Sequence, residues 1–218
     1  MDNFKVAIDG PAGSGKSSIS KLVALKKGFI HIDTGAMYRA LTIEALNRKV
    51  DLKDELAYGF IHEVDIKYKD GKIFLNGKDV SEEIRLPYVT NNVSEVAKIK
   101  AVRENMKVLQ RKIAQEGKII MDGRDIGYNV LPDADLKVFL VASVDERARR
   151  RQLENEKRGI SSDYVQIKEE IIKRDYEDSN REVSPLRKAT DAIVIDTTYL
   201  SIDQVVDKII ELINGRMK

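Results

Sequence analysis

Hydrophobic and polar positions along the chain change period several times, and each change predicts an element. Phe4 to Ile8 is a short apolar run that stops at Asp9-Gly10-Pro11, as a buried strand does. Ser14 to Lys27 then places Ile19, Leu22, Val23 and Lys26 at helical spacing, and Gly28 follows as the residue that ends a helix. Phe29 to Ile32 is a second strand. Ala36 to Asn47 is a second helix, burying Met37, Ala40, Leu41 and Leu46.

Between Val64 and Val80 the period falls to two. Asp65-Ile66-Lys67-Tyr68 and Lys72-Ile73-Phe74-Leu75 alternate, and Asp70-Gly71 and Asn76-Gly77 supply tight turns. This predicts a small antiparallel meander leading into Lys78-Asp79-Val80. Helices resume from Tyr88 to about Gln115, the second carrying the stripe Val102, Met106, Leu109 and Ile113. Lys118 to Met121 is a buried strand ending at Asp122-Gly123, and Leu136 to Ala142 another. Asp145 to Asp178 is highly charged and predicts two exposed helices joined near Gly159. Ala192 to Ile195 is the last strand. Ile202 to Ile213, with Val205, Val206, Ile209 and Ile210, is the last helix. Five apolar strands alternating with helices predict an α/β fold, a parallel sheet covered on both faces.

Composition narrows the chemistry. The chain has 218 residues with 42% hydrophobic, enough for one α/β core with insertions. Its 38 Lys and Arg nearly balance 36 Asp and Glu, so bulk charge gives no reason to expect a nucleic-acid partner. With no cysteine, disulfides, thiolate catalysis and Cys-ligated zinc are excluded. His31 and His62 stand alone, which excludes a multi-His metal site. No apolar run approaches the ~20 residues that cross a bilayer. Asp9-Gly10-Pro11 cuts the first apolar stretch too short for a signal peptide. A cytoplasmic protein without membrane partners is expected.

Gly10-Pro11-Ala12-Gly13-Ser14-Gly15-Lys16-Ser17, continuing into Ser18, fits G-x-x-x-x-G-K-[ST] between a strand and a helix. The glycines let successive backbone N–H groups turn inward on phosphate oxygens, and the helix start adds its dipole. Lys16 is expected to reach the β and γ phosphates and Ser17 to bind Mg²⁺. The motif implies a nucleoside triphosphate without distinguishing kinase, GTPase or motor.

Three further clusters carry the argument. Asp33-Thr34-Gly35-Ala36-Met37-Tyr38-Arg39 joins a carboxylate, a helix start and an Arg, either a monophosphate grip or a capped helix with a solvated Arg. Asp122-Gly123-Arg124-Asp125 lies at a strand's carboxyl end, where open α/β sheets bind ligands. Arg147, Arg149, Arg150 and Arg151, with Lys157 and Arg158, precede Arg174, Asp178 and Arg181 at i, i+4, i+7. Such runs are usually solvated faces. Arg in place of Lys suits phosphate, and a mobile Arg-bearing lid would exclude water from the transferring group.

These residues together resemble the bacterial cytidylate kinases, among the nucleoside-monophosphate kinases. The resemblance spans essentially the whole chain. It rests on Ile8 to Ser17, Asp33 to Arg39, Asp79-Val80-Ser81-Glu82-Glu83-Ile84-Arg85, Asp122 to Gly127, and Arg174-Asp175-Tyr176-Glu177-Asp178-Ser179-Asn180-Arg181. It implies a P-loop kinase with a core at 1–35, 117–145 and 182–218. A monophosphate-binding domain at 36–116 would carry the meander at about 64–80, and 146–181 a lid with the adjoining substrate helix. It also implies that Ser94, Arg103 and Asp125 read cytosine, Arg174 and Asp178 hold the ribose, and Thr34, Arg39, Arg124 and Arg181 grip the monophosphate. Family members commonly have Ser where Thr34 stands. Arg150 and Arg151 look like lid arginines, and a monomer is implied.

The expected reaction is ATP with CMP or dCMP giving ADP with CDP or dCDP, without a covalent enzyme intermediate. Lys16 and Arg124 neutralise charge, Ser17 binds Mg²⁺, and Asp33 and Asp122 organise metal-bound water or the site. Kinases of UMP, AMP or shikimate are the nearest rivals. A GTP-dependent switch would need an N-K-x-D motif, which is absent. A nucleic-acid-binding regulator rests only on the basic run at 147–158.

Overall fold

The structure, a computed structural model, describes residues 3–69, 71–115 and 117–217. Asp70 of the first expected turn lies outside them. Backbone contacts divide the chain into two compact units. The first comprises Met1–His31, Gly117–Asn180 and Pro185–Lys218, the second Ile32–Glu116 and Arg181–Ser184.

The first unit is built on a parallel sheet of β1 (Phe4–Asp9), β2 (Ile30–Asp33), β6 (Lys118–Gly123), β7 (Leu136–Val141) and β8 (Ile193–Asp196), ordered β2-β6-β1-β7-β8. The division between units falls inside the edge strand β2, after His31. Ile8 pairs with Asp122, and Asp9 with Gly123 and Phe139. Parallel strands share one carboxyl edge, so the ends of β1 and β6 reach the same rim. On one sheet face Phe4, Val6, Ile8, Ile120, Leu136, Val138, Leu140 and Ile195 alternate inward. There they pack against α1 (Lys16–Lys27) and α8 (Ile202–Arg216), which contribute Ile19, Val23, Val205, Val206, Ile209 and Ile213. A capping box between Ser201 and Gln204 starts α8. Helix α1 starts at Lys16 rather than Ser14, because Gly13 (φ 75°) and Gly15 (φ 88°) still belong to the loop. The charged stretch forms α6 (Val144–Lys157) and α7 (Tyr164–Asn180), joined through Gly159 at φ 69° and held by Ala148, Ile167 and Ile171.

In the second unit Asp33 caps α2 (Thr34–Asn47) by accepting the Ala36 N–H at 2.9 Å. The meander is an antiparallel sheet of β3 (Ile66–Lys69), β4 (Lys72–Leu75) and β5 (Lys78–Asp79). Its second turn holds Asn76 at φ 49° and Gly77 at φ 82°, the left-handed pair that a two-residue hairpin demands. The helical stretch after Tyr88 is broken into α3 (Pro87–Thr90), α4 (Val93–Val96) and α5 (Lys100–Ile113). Its stripe is rotated from the expected one. Val102 and Met106 are buried with Arg103 and Gln110, whereas Leu109 and Ile113 are half-buried. A 3-10 segment, Glu55–Glu63, packs against α5 without having been legible in the apolar pattern.

Candidate active site

The loop after β1 owes its shape to close approach. Gly10 has φ 151°, and a Cβ there would lie 2.1 Å from the Leu140 carbonyl oxygen of β7. Only glycine lets β1 and β7 pair and the chain still turn. A Cβ on Gly13 would meet Arg147 Cβ at 3.2 Å. Lys16 is 6% exposed and curls over the loop, its Nζ donating to Pro11 O at 2.7 Å and Ser14 Oγ at 3.3 Å. Burial, then repulsion from Arg124, holds its pKa well below the ordinary lysine value, against the pull of Asp122, Asp9 and Asp178. A buried ammonium with such neighbours is stabilised by an anion.

At the second position of α1, Ser17 Oγ donates to Asp122, 3.1 Å from Oδ2 and 3.3 Å from Oδ1. His31 Nε2 lies 2.6 Å from Asp122 Oδ1. A carboxylate can only accept, so this nitrogen carries the proton. His31 had no visible role in the sequence. Its function as a brace for Asp122 depends on two strands meeting, which spacing does not reveal. Ser17 and Asp122 offer oxygen alone, the donor type that suits Mg²⁺.

Beyond Asp122, Arg124 Nε donates to Asp178 Oδ2 at 2.8 Å. Burial pulls the Arg124 pKa down, but attraction to Asp178, with smaller help from Asp122 and Asp175, holds it above the ordinary value. Arg124 and Asp178, 54 positions apart, are thus brought together. Arg174 lies one helical turn before Asp178 on α7. Asp125 is 4% exposed and accepts from Asn129 Nδ2 at 2.8 Å. Its segment is anchored by Asp9, whose Oδ1 accepts the Ile126 N–H at 2.9 Å and Oδ2 the Gly127 N–H at 2.7 Å. Burial pushes the Asp9 pKa up to about 7, against these two amides and Lys16. The sequence assigned Asp9 no site role, placing it at the end of a strand and in the segment that carries the resemblance.

The arginine run divides by environment. Arg150 donates to Thr197 Oγ1 at 3.1 Å, Thr197 O at 2.6 Å and Glu146 Oε1 at 2.8 Å, and Nη1 lies 3.8 Å from where a Gly15 Cβ would stand. Arg151 is 44% exposed and 3.6 Å from Glu154. Arg149 is more exposed and forks onto Glu146. Arg147 is buried, bonded to the loop and to Asp175.

The remaining expected residues belong to the second unit. Arg39 Nη2 donates to Asp33 Oδ2 at 3.1 Å, while its Nε is buried with no hydrogen-bond partner among the described residues. Such a half-satisfied guanidinium suits an anion. Thr34 is buried at the start of α2, and the Tyr68 hydroxyl donates to the Asp33 carbonyl oxygen. This contact ties the meander to the Asp33 turn, a role the alternating pattern could not assign to Tyr68. Arg103 is buried, its guanidinium 5.3 Å from the Tyr38 ring centroid. Ser94 is half-buried on α4, and Arg181 Nε donates to Ser184 O at 2.7 Å.

Residues 6–215 match the family model described as cytidylate kinase. The cytidylate kinase of Acholeplasma laidlawii is 54% identical over 215 residues, covering 99% of this chain and 97% of that protein. That of Bacillus cereus is 53% identical over 217 residues, covering 97% and 96%. Two solved structures share the fold alone. An uncharacterised protein from Eubacterium ventriosum has a TM-score of 0.56 at 17% identity, over 98% of this chain and 100% of that one. Shikimate kinase from Bacteroides thetaiotaomicron has a TM-score of 0.51 at 12% identity, over 97% and 98%. No helix among the described residues is long and apolar enough to cross a membrane.

Proposed function

Because this chain belongs to the cytidylate kinase family, we propose that it transfers the terminal phosphoryl group of ATP to CMP and dCMP. The observation that carries this reading is the phosphate loop, folded around Gly10 where no side chain fits and over the buried Lys16. A phosphate oxygen of the monophosphate attacks the γ-phosphorus, the bond from that phosphorus to the β–γ bridging oxygen breaks, and ADP leaves. The protein supplies position and charge rather than a covalent intermediate.

Gly10, Pro11, Ala12, Gly13, Ser14, Gly15, Lys16, Ser17 and Ser18 hold the donor phosphates in this proposal. Anionic oxygens offset the burial that disfavours the charged form of Lys16. Ser17, oriented by Asp122, is the direct protein ligand for Mg²⁺, which when bound neutralises phosphate charge. Asp122 and Asp33 organise metal-bound water and the turn before α2. Thr34, Arg39, Arg124 and Arg181 grip the monophosphate, and Arg174 and Asp178 the ribose. Arg150 and Arg151, in the segment 146–181 that we take as the lid, stabilise the transferring group. Segment 36–116 serves as the acceptor-binding domain.

For the base, Asp125 accepts from the cytosine 4-amino group, and Arg103 and Ser94 donate to ring acceptors. Uracil reverses the donor and acceptor at these positions. It would leave buried groups unpaired at a cost on the order of 1–3 kcal/mol each. The proposal extends to a cytoplasmic monomer acting on free nucleotides rather than on nucleic acid or membrane.

The test is ADP release with Mg·ATP and a panel of CMP, dCMP, UMP, AMP, GMP and shikimate. Turnover with CMP and dCMP, weak with UMP and absent with the others, is the expected result. Preference for another acceptor overturns the base-reading roles. No acceptor-stimulated turnover overturns the kinase reading.

A further inference from the structure

Arg147 belongs to the arginine run yet is spent inside the protein. Its Nε donates to Ala142 O at 3.1 Å, its Nη1 to Ala12 O at 3.0 Å and Asp175 Oδ1 at 3.0 Å, and its Nη2 to Asp175 Oδ2 at 2.6 Å. The Arg147 side chain is 4% exposed and that of Asp175 24%. A guanidinium held by this fork has a fixed plane and is not available to follow a transferring phosphate.

Its two ends act on different machinery. A trans peptide plane points its C=O and N–H in opposite directions. Because the Ala12 carbonyl is held by Arg147, the Gly13 N–H faces away from that guanidinium, and in the kinase reading it would meet a donor phosphate oxygen. The Gly13 backbone also rests against the Arg147 stem, with 3.2 Å from Arg147 Cβ to where a Gly13 Cβ would lie. At the other end, Asp175 sits on α7 beside Arg174 and one turn before Asp178, which holds Arg124 at 2.8 Å. Asp175 also adds a small attraction to those that raise the Arg124 pKa.

We propose that Arg147 and Asp175 are positioning residues that couple the donor phosphate loop to the acceptor-binding residues of α7, so that occupation of one favours occupation of the other. This rests on the kinase reading given above. A loop settled on donor phosphates fixes the Ala12 carbonyl, hence the guanidinium plane and the set of α7. Loss of the fork lets the loop and α7 relax independently.

The experiment measures CMP affinity by calorimetry on the full chain, with and without Mg²⁺ and a non-hydrolysable ATP analogue. The wild-type chain is expected to bind CMP about 5- to 150-fold more tightly with the analogue present. In Asp175→Asn that ratio falls towards one, and Asp175→Glu restores part of it. Because Asp175→Asn leaves a buried Arg without its carboxylate, the double variant Arg147→Met with Asp175→Leu provides an uncharged comparison, and its ratio should also be near one. A wild-type ratio of one overturns the proposal, as does an undiminished ratio in Asp175→Asn or the double variant. CMP turnover by the wild-type chain is assayed separately, so failure of the kinase reading shows there and failure of the coupling shows only in the ratio.

Discussion

Asp9 Oδ2 accepts the Gly127 backbone N–H at 2.7 Å, joining the residue before the phosphate loop to the segment that carries Asp125. The carboxyl is buried and its pKa is pushed up to about 7. An acid whose pKa is raised on folding stabilises the fold fully below its unfolded value, near 4, and loses that contribution as pH rises through the folded value. Between pH 4 and 7 the wild-type chain should therefore lose stability relative to Asp9→Asn, by up to about 1.4 kcal/mol per pH unit. Urea unfolding of both chains across that range checks this, and a constant difference contradicts it.

Gly10→Ala should be far more damaging than Gly28→Ala. The first places a Cβ 2.1 Å from Leu140 O, while the second, at φ 67°, has nothing within 4 Å. The Gly28 change should cost only about 1 kcal/mol, the penalty of a left-handed backbone. At Gly10 the β1–β7 pairing itself must shift. Thermal unfolding should show a shift of a few degrees for Gly28→Ala and a much larger loss, or no folded protein, for Gly10→Ala.

Ser17→Ala removes the hydroxyl that Asp122 orients at 3.1 Å. The Mg²⁺ concentration for half-maximal rate should rise by about tenfold or more. Chelation of divalent cations should abolish turnover in both chains. An unchanged Mg²⁺ requirement would remove Ser17 from the metal site.

Lys16→Met should leave the fold in place, since Nζ contacts only its own loop at Pro11 O and Ser14 Oγ among the hydrogen bonds described. The rate should fall by about a hundredfold or more, the usual effect of removing one group that meets transition-state charge. Circular dichroism and kcat together test this. A stable variant with near-normal kcat would show that Lys16 does not meet the transferring charge.

Asp125→Asn exchanges an acceptor for an amide that can also donate. CMP turnover should fall while UMP is less affected, narrowing the ratio of their kcat/KM by about 5- to 150-fold, equivalent to about 1–3 kcal/mol. Equal losses for both nucleotides would argue that Asp125 supports the segment without reading the base.

The order of elements was written in local patterns. Alternation at Ile66 to Leu75 with Asn76-Gly77 determined the meander, because side-chain period and a left-handed turn are local properties. The phosphate loop was equally legible, since its glycines, Lys16 and Ser17 lie within eight consecutive positions between a strand and a helix. What a helix face buries was less legible. On α5 the inward positions include Arg103 and Gln110, where the apolar pattern had pointed to Leu109 and Ile113, because burial there follows the neighbouring elements rather than side-chain polarity.

By itself the sequence determined the strand and helix alternation, the Gly-rich loop and the residue types around it, since each depends on neighbours a few positions away. Only the tertiary structure decided which charges meet. Parallel pairing brings His31 to Asp122, Asp9 to Ile126 and Gly127, and the fold joins Arg124 to Asp178 and Arg147 to both Ala12 and Asp175. Those pairs are separated by 28 to 135 positions. No periodicity spans such distances, and an arginine in a charged helix has the same local pattern whether it faces water or closes a buried ion pair.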